Sequence, residues 1–353
     1  MFKITLRQIA AFFLTLPMTL APLFGVILHF GTAAFFEDWS ANDTFTADYA
    51  VRLEKDPDKD FVVLNIADIQ LGNKETYNEI GERAYALVDR LVRETQPDLI
   101  TLTGDNGSNM LPYLELTRKI DAYGIPWAPV MGNHDGHGFP GEFWSAYLFY
   151  NAKNCLFRFG PKDMGYGNYV IHICEGDEIV HTLYMMDTHD NIKHDNCNGK
   201  KDSGYDHLWE NQMQWYAWAV KGTNALAGHA VESTVFFHIP LCEYNDAWDT
   251  ATQDGVFKPE YADTCFGVKH ETVCCAPANN GFFALMKDLG STKNVICGHD
   301  HVNSYSIPYE GIRLTYGLKC GEGSYCEEGI SGGTTLTIAS DGSASVAHHY
   351  DAA

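Results

Sequence analysis

The segment that decides the fold spans residues 125 to 135 and reads Ile-Pro-Trp-Ala-Pro-Val-Met-Gly-Asn-His-Asp. Its apolar first half, Ile125 to Val130, is typical of a buried strand. Gly132 permits a tight turn where that strand ends. Asn133 offers an amide oxygen to a metal ion, and His134 offers an imidazole that can give a proton to a leaving group. An ordinary polar turn would have the same residues, so the interpretation depends on the neighbouring strands.

Strand and helix patterns alternate before this segment. The predicted elements are a strand at 61–66, a helix at 77–91, a strand at 99–102 and a helix at 111–123. This order predicts an α/β fold in which the strands are parallel. Ligands of such sheets bind beyond the carboxyl ends of the strands, which is where Asp68, Asp105 and Asn133 stand.

The C-terminal half continues the alternation with longer interruptions. We predict strands at 167–173, 178–186, 233–237 and 294–297, helices at 209–225 and 281–289, and short strands from Leu314 onward. Residues 188–208 and 243–278 show no periodicity. Both are expected to be irregular, and the first is expected to be a functional loop.

Residue types that commonly bind metals or transfer protons follow five of the predicted strands. They are Asp68 with Gln70, Asp105, Asn133 with His134, His238, and His299 with His301. A lone histidine is usually an ordinary core or surface residue, but carboxylates, an amide and imidazoles at one sheet edge predict a site for two divalent cations. Asp105 could bridge both. Two such cations clamp a phosphate group and hold a bridging hydroxide for in-line attack.

The charge of the chain limits its partners. Its 46 acidic and 24 basic residues give a net charge of -22. A field of that sign repels nucleic acid, so no nucleic-acid partner is expected. A small phosphorylated substrate would need local positive charge, which metal ions can supply. The oligomeric state has no signature in the sequence.

The N-terminus has the pattern of an export signal. Two basic residues precede an apolar run from Ile9 to Phe36, and two acidic residues follow it. The run is long enough to span a bilayer, and the charges place the remainder of the chain outside. A signal anchor and a cleaved signal peptide both fit, with a buried core helix as a third alternative. We therefore expect a signal and linker at 1–45 and a catalytic domain at 46–353, secreted or membrane-anchored on the extracytoplasmic side.

The ten cysteines support export in the same way. They do not form CxxC pairs, which argues against a structural zinc site. Disulfides in an oxidising compartment fit better. Cys320 and Cys326 are close enough in sequence to staple one loop.

Several motifs resemble those of the calcineurin-like metallophosphoesterase superfamily. They are Gly104-Asp105, Gly132-Asn133-His134-Asp135 and Gly298-His299-Asp300-His301. A closer likeness, to the purple-acid-phosphatase-like branch of plant and fungal phosphatases, rests on residues 204–206, 214–216, 236–241 and 298–303. The likeness extends from about residue 60 to 338 and implies two mixed β-sheets packed face to face and flanked by helices.

The resemblance also implies roles for the site residues. Metal one would be bound by Asp68, Asp105 and His301. Metal two would be bound by Asp105, Asn133, His238 and His299. His134 would be the general acid.

Two positions depart from the family pattern. Gln70 stands where the superfamily usually has histidine, and Ser108 stands where purple acid phosphatases have the tyrosine that binds ferric iron. If Gln70 is a ligand, metal one has mostly oxygen donors, which favours manganese. If Gln70 points away, a water would fill the position. The expected cofactors are two divalent ions of Mn, Fe or Zn.

These observations predict a metal-dependent hydrolase of phosphoric ester bonds, and the branch resemblance favours a phosphomonoesterase. Two alternatives remain open. One is a phosphodiesterase or lipid headgroup hydrolase. The other is a catalytically decayed member that still binds metal.

Overall fold

The computed structural model describes residues 32–139, 141–195 and 201–351. Its strands are β1 (Val51–Glu54), β2 (Phe61–Ile66), β3 (Leu99–Thr103), β4 (Trp127–Val130), β5 (Tyr169–Glu175), β6 (Glu178–Met185), β7 (Asn191–Asp195), β8 (Lys201–Tyr205), β9 (Ser233–Phe236), β10 (Thr252–Gln253), β11 (Val256–Phe257), β12 (Thr292–Cys297), β13 (Ser306–Tyr309), β14 (Ile312–Tyr316), β15 (Gly332–Ile338) and β16 (Ala344–Tyr350). Its α-helices are α1 (Glu79–Thr95), α2 (Met110–Asp121), α3 (Glu142–Asn151), α4 (Glu210–Ala227), α5 (Glu243–Ala251) and α6 (Phe282–Leu289).

The first sheet has five strands in the order β16-β15-β2-β3-β4. β2, β3 and β4 are parallel, while β15 is antiparallel to β2. Helix α1 connects β2 to β3, and the local sequence determines where this helix begins and ends. Asn78 caps the helix by accepting a hydrogen bond from the Ile80 N–H, and Gln96 ends it in a left-handed conformation. Since helices cover this sheet on one face and the second sheet covers the other, β2 and β3 are almost wholly buried.

The second sheet has seven strands in the order β1-β5-β6-β9-β12-β14-β13. β6, β9, β12 and β14 run parallel at its centre, and β5 and β13 are antiparallel to their neighbours β6 and β14. Residues of α4, α5 and α6 share an apolar core with the outer face of this sheet.

The two sheets pack face to face. Ile66 and Leu102 of the first sheet lie in one apolar cluster with Met185 and Phe236 of the second. The Tyr169 hydroxyl donates across the interface to the Pro129 carbonyl oxygen at 2.7 Å. The predicted arrangement of two mixed sheets flanked by helices is confirmed.

Two segments expected to be irregular contain regular structure. In the first, β7 and β8 form an antiparallel hairpin. In the second, α5 buries Tyr244, Ala247, Trp248 and Ala251, which recur at helical spacing, and β10 pairs with β11. The prediction was wrong there because each element is short. The polar residues between the four buried residues of α5 also obscured its helical periodicity.

The described residues before position 46 pack against the rest of the molecule. Phe35 and Phe36 contact the Phe159 ring, and Phe45 is buried against Trp218. The boundary at residue 45 stays a prediction. The predicted signal falls almost wholly on residues 1–31, outside the described part. No helix in the described ranges is long and apolar enough to cross a membrane.

The described cysteines do not support the predicted disulfides. All nine are free thiols. Cys320 is buried whereas Cys326 is exposed, and the structure does not join them. Cys197 lies outside the described residues.

Candidate metal centre

The site lies where strands of both sheets end. Asp68, Asp105 and Asn133 follow β2, β3 and β4, while His238 and His299 follow β9 and β12. Because each group of strands is parallel and the sheets are stacked, these ends meet at one edge of the sandwich.

The backbone at these strand ends is unusual. Asp68, Gln70, Asp105 and His299 all have positive φ, at 52°, 45°, 48° and 79°. Non-glycine residues rarely adopt this conformation, and it concentrates at functional sites. Hydrogen bonds between the two loops stabilise it: Asp68 N–H donates to Gly104 O at 3.3 Å, and Gln70 N–H donates to Asp105 O at 2.9 Å.

Two glycines of the motifs are needed for close approach. A Cβ atom on Gly132 would lie 2.3 Å from the Asp105 backbone nitrogen. One on Gly298 would lie 2.5 Å from Asp68 Oδ2. These clashes explain why each motif has glycine just before its polar residues.

Four donors form what we call the histidine-rich cluster: Asp105, Asn133, His238 and His299. His238 Nε2 lies 3.3 Å from Asp105 Oδ1, 3.1 Å from Asn133 Oδ1 and 3.1 Å from His299 Nδ1. His238 Nδ1 lies 2.8 Å from Thr103 O. Since a carbonyl oxygen only accepts, the Nδ1 proton is held there and Nε2 is directed at the cluster.

The carboxylate cluster consists of Asp68, Gln70, Asp105 and His301. His301 Nε2 lies 3.5 Å from Asp68 Oδ1, and Gln70 Nε2 donates to Asp105 Oδ2 at 3.1 Å. His301 Nδ1 lies 2.9 Å from Tyr325 O, which again directs Nε2 toward the carboxylates. Asp105 therefore takes part in both clusters, one oxygen in each.

Electrostatics keep these carboxylates charged despite their burial. Burial alone would raise the pKa of Asp68 and Asp105, but the imidazoles of His301 and His238 outweigh it and the pKa of each is lowered. Burial opposes charge on His238 too. The Asp105 carboxylate outweighs that penalty and raises the His238 pKa to about 10. The pKa of His299 falls to about 3 because of its burial and the charge of His238.

The donor set fits divalent cations. Ligand atoms of Asp68, Asp105 and His238 lie within 4.8 Å of one another. Gln70 Oε1 and His299 Nε2 are buried without a hydrogen-bond partner among the described residues. A cation would replace the proton of His238 and balance two buried carboxylates, so the arrangement suits cations better than protons.

Two further buried carboxylates hold the loops rather than face the clusters. Asp135 accepts from the Asn106 and Gly132 backbone N–H groups at 2.7 and 2.8 Å. Its burial and the Asp105 charge raise its pKa to about 7. Asp300 accepts from the Tyr316 hydroxyl at 2.6 Å and from the Cys274 N–H. Both residues were part of the sequence motifs without a predicted role.

His134 lies at the open side of the centre. Its backbone N–H donates to Asp105 Oδ1 at 2.8 Å, and its ring Nε2 lies 4.0 Å from Asp105 Oδ2. The ring is 44% exposed in a cleft of about 490 Å³. That cleft is lined by Gln70, Gly72, Glu75, Ile80, Ser108, His134, Glu322 and Ser324. A ligand entering the cleft would meet His134 together with Gln70 of the carboxylate cluster.

All eight sequence-predicted site residues lie in this one region, and the structure adds neighbours to which the sequence analysis gave no role in the site. The Tyr205 ring stands perpendicular to the His299 ring at 4.3 Å, and the Tyr325 ring stacks on His301 at 4.2 Å. His137 contacts His134, although only its place in the same short turn could have suggested this.

Comparison with known proteins identifies the family. The sequence model of the family described as Calcineurin-like phosphoesterase matches residues 61–303. That span is more than half of the 353 residues, so the chain belongs to this family of phosphoesterases. The resemblance inferred from the motifs is confirmed.

Three individual proteins that resemble this chain share less than a third of their aligned residues with it. The probable inactive purple acid phosphatase 14 of Arabidopsis thaliana is 26% identical and aligns with 79% of this chain and 75% of its own length. Phosphatase DCR2 of Saccharomyces cerevisiae is 30% identical over 82% of this chain, which spans about half, 52%, of that protein. Among solved structures, a dimetal phosphatase from Danio rerio covers 79% of this chain and 96% of its own, with 13% identity and a TM-score of 0.47.

Proposed function

We propose that the chain is a two-metal phosphomonoesterase. The observation that carries the proposal is the sharing of Asp105: its Oδ1 faces His238, and its Oδ2 faces Gln70. A carboxylate shared in this way suits a pair of cations. When bound, such cations supply Lewis acidity toward a phosphate ester and lower the pKa of water.

The protein's own residues would position these groups. The carboxylate cluster would hold one cation and the histidine-rich cluster the other. The Thr103 and Tyr325 carbonyl oxygens would keep the ring orientation of His238 and His301. His134 would face the ester and protonate the departing alkoxide through Nε2.

Metal identity follows from the donor atoms. The carboxylate cluster has one imidazole, whereas the histidine-rich cluster has two. Oxygen-rich sites favour manganese or magnesium and imidazole-rich sites favour zinc or iron. We therefore propose manganese at the carboxylate cluster and manganese, iron or zinc at the other.

The first experiment is a substrate and metal screen. Protein stripped with a chelator should be inactive and should regain turnover with manganese, iron or zinc. Phosphomonoesters should react faster than diesters, with a nitrophenyl phosphate as the reference. A preference for diesters or lipid headgroups would contradict the monoesterase proposal and favour the alternative hydrolases.

A second candidate function is metal binding without catalysis. Gln70 in place of the usual histidine favours it, as does the word inactive in the name of the Arabidopsis relative. Stoichiometric metal binding by the purified chain, combined with no turnover of any ester in any metal form, would establish this candidate instead.

The proposal includes an extracytoplasmic location for the catalytic domain. It is supported by the apolar run from Ile9 to Phe36 and the charges on its two sides. A reporter that is active only outside the cytoplasm, fused after residue 351, tests it. Activity of a cytoplasm-specific reporter at the same junction would contradict it.

A further inference from the structure

His134 has a hydrogen-bonded chain behind its ring. His137 Nδ1 lies 3.0 Å from His134 Nδ1, and His137 Nε2 lies 3.3 Å from Asp190 Oδ2. The two imidazole rings are nearly perpendicular, at 86°, with centroids 4.8 Å apart. The His137 backbone N–H also donates to the His134 carbonyl oxygen at 3.0 Å, so the turn itself brings the rings together.

The chemistry of the acceptors determines where protons can lie. A carboxylate only accepts, so His137 donates to Asp190 through Nε2. The contact between the two Nδ1 atoms needs one shared proton. Once that proton is held between the rings, Nε2 of His134 is the nitrogen that can carry the proton for the leaving group.

We propose that His137 and Asp190 are positioning residues that hold the His134 ring in place and keep a transferable proton on its Nε2. In the charged form, the two rings share three protons and one positive charge, which faces the Asp190 carboxylate. On transfer, the Nε2–H bond of His134 breaks and an O–H bond forms on the departing alkoxide. The shared proton stays between the rings, which become neutral.

Asp190 is held independently of the histidines. Its backbone carbonyl accepts from the Asp206 N–H at 2.9 Å, and its Oδ1 accepts from the Asn191 side chain at 2.6 Å. These contacts lie at the base of the β7–β8 hairpin. The hairpin thus contributes Asp190 behind His134 and Tyr205 against His299, which links one element to both the proton donor and a proposed metal ligand.

The contact between His137 and Asp190 should affect the catalytic rate more than the stability of the fold. The side chains of His137 and Asp190 are 46% and 52% exposed. Exposed ion pairs contribute little to folding because water and salt screen them. A loss of activity without a loss of melting temperature is therefore the expected signature.

The test uses the full chain loaded with manganese and compares an alkyl phosphate with a nitrophenyl phosphate. This inference rests on the proposed function. His137→Ala should lower kcat for the alkyl ester roughly 10- to 100-fold, the range found when a hydrogen-bond partner that orients a metal-ligating histidine is lost. KM and bound metal should not change. The nitrophenyl ester, whose leaving group needs little protonation, should lose less than about threefold.

Three further variants sharpen the result. His137→Asn keeps an N–H near the position of Nδ1 and should restore part of the alkyl-ester rate, while Asp190→Asn should give a smaller loss of the same kind. In a His134→Ala background, His137→Ala should have no further effect. His229→Ala, a surface histidine at the far end of α4, is the matched control and should behave as wild type.

The outcomes distinguish failure of the positioning role from failure of the phosphoesterase proposal. Equal losses for both esters, or losses that add in the His134→Ala background, would overturn the positioning role while leaving the phosphoesterase proposal intact. A metal-loaded wild type that turns over neither ester would overturn both.

Discussion

At the scale of single residues, the two proposed metal positions depend on Asp105. It is buried, has positive φ, and directs one oxygen to each cluster. Its backbone is held by Gln70 and its Oδ1 by the His134 N–H. A side chain with so many fixed contacts would offer the proposed cations a preformed bridge.

Asp105→Asn should therefore remove both cations and abolish turnover. The amide has the same shape but no charge, so it cannot balance two cations, and it also removes the group that raises the pKa of His238. Metal content per chain measures the result directly. Asp288→Asn, on the exposed face of α6, is the control. Retention of both metals by the Asp105 variant would show that the residue does not bridge.

Gln70→His tests the departure from the family pattern. An imidazole should tighten metal binding at the carboxylate cluster and shift its preference from manganese toward zinc or iron. Titration of stripped wild type and variant with each metal gives both quantities. Identical affinities and preferences would mean that Gln70 is not a ligand.

At the scale of elements, two segments place aromatic rings on His299 and His301, the histidines proposed as metal ligands. The β7–β8 hairpin places Tyr205 against His299, and the loop after β14 places Tyr325 on His301. Groups around a ligating histidine orient it and tune its affinity. Tyr205 contacts a histidine of the histidine-rich cluster, whereas Tyr325 contacts a histidine of the carboxylate cluster.

This separation predicts selective effects. Tyr205→Ala should weaken metal binding at the histidine-rich cluster by about 10-fold or more, whereas Tyr325→Ala should weaken the carboxylate cluster. Tyr205→Phe keeps the ring and should bind as wild type. Stepwise metal titration resolves the two sites. Loss of the same metal in both alanine variants would refute the assignment.

At the scale of the whole molecule, the segment from residue 33 to 45 forms part of the fold. Phe45 is 8% exposed, and its ring lies 5.0 Å from Trp218 and 5.4 Å from Tyr49. The Trp218 indole donates to the Asp43 carbonyl oxygen at 2.7 Å. The segment therefore covers one side of the core that lies against α4.

Truncation should show a sharp boundary. A chain that begins at residue 32 keeps these contacts and should unfold at the same urea concentration as the full chain. A chain that begins at residue 46 should lose roughly 3–5 kcal/mol for Phe45 alone, since removing one buried phenylalanine costs about that much. Urea unfolding of both truncated proteins measures the difference. Equal midpoints would show that the segment contributes nothing.

Stability should also fall with acid, because the sandwich buries neutral histidines. His181 lies 2.8 Å from Gly342 O and 3.0 Å from Thr234 Oγ1, and burial lowers its pKa to about 4. Its unfolded pKa is about 6.5. Between these values the unfolded chain binds the proton and the folded chain does not, so the free energy of unfolding decreases from pH 6.5 to about 4.

His181→Gln keeps a donor and an acceptor but cannot titrate. The variant should therefore lose less stability than wild type over that pH range. Urea unfolding of the metal-free proteins at several pH values measures the slope, and metal-free conditions prevent acid release of metal from contributing. Parallel slopes for the two proteins would contradict the prediction.

Much of the fold and site is determined by local sequence. Apolar runs such as Phe61–Ile66 and Leu99–Thr103 predict strands covered on both faces, and both are buried strands in the structure. Gly132 and Gly298 occupy positions where a side chain would clash, so the turns that carry the polar residues are encoded residue by residue. For this reason the chain reveals its family and its candidate ligands before any tertiary contact is known.

Tertiary structure alone decided how distant segments meet. The partners of His137 and His299 are Asp190 and Tyr205, which lie at the base of the β7–β8 hairpin, whose short polar strands have no periodic signal. The shared position of Asp105 depends on the stacking of two sheets, and the positive φ values depend on hydrogen bonds between loops more than 30 residues apart. Periodicity reports how a segment is buried, whereas a site is made of contacts between segments, and those contacts exist only once the sheets have packed.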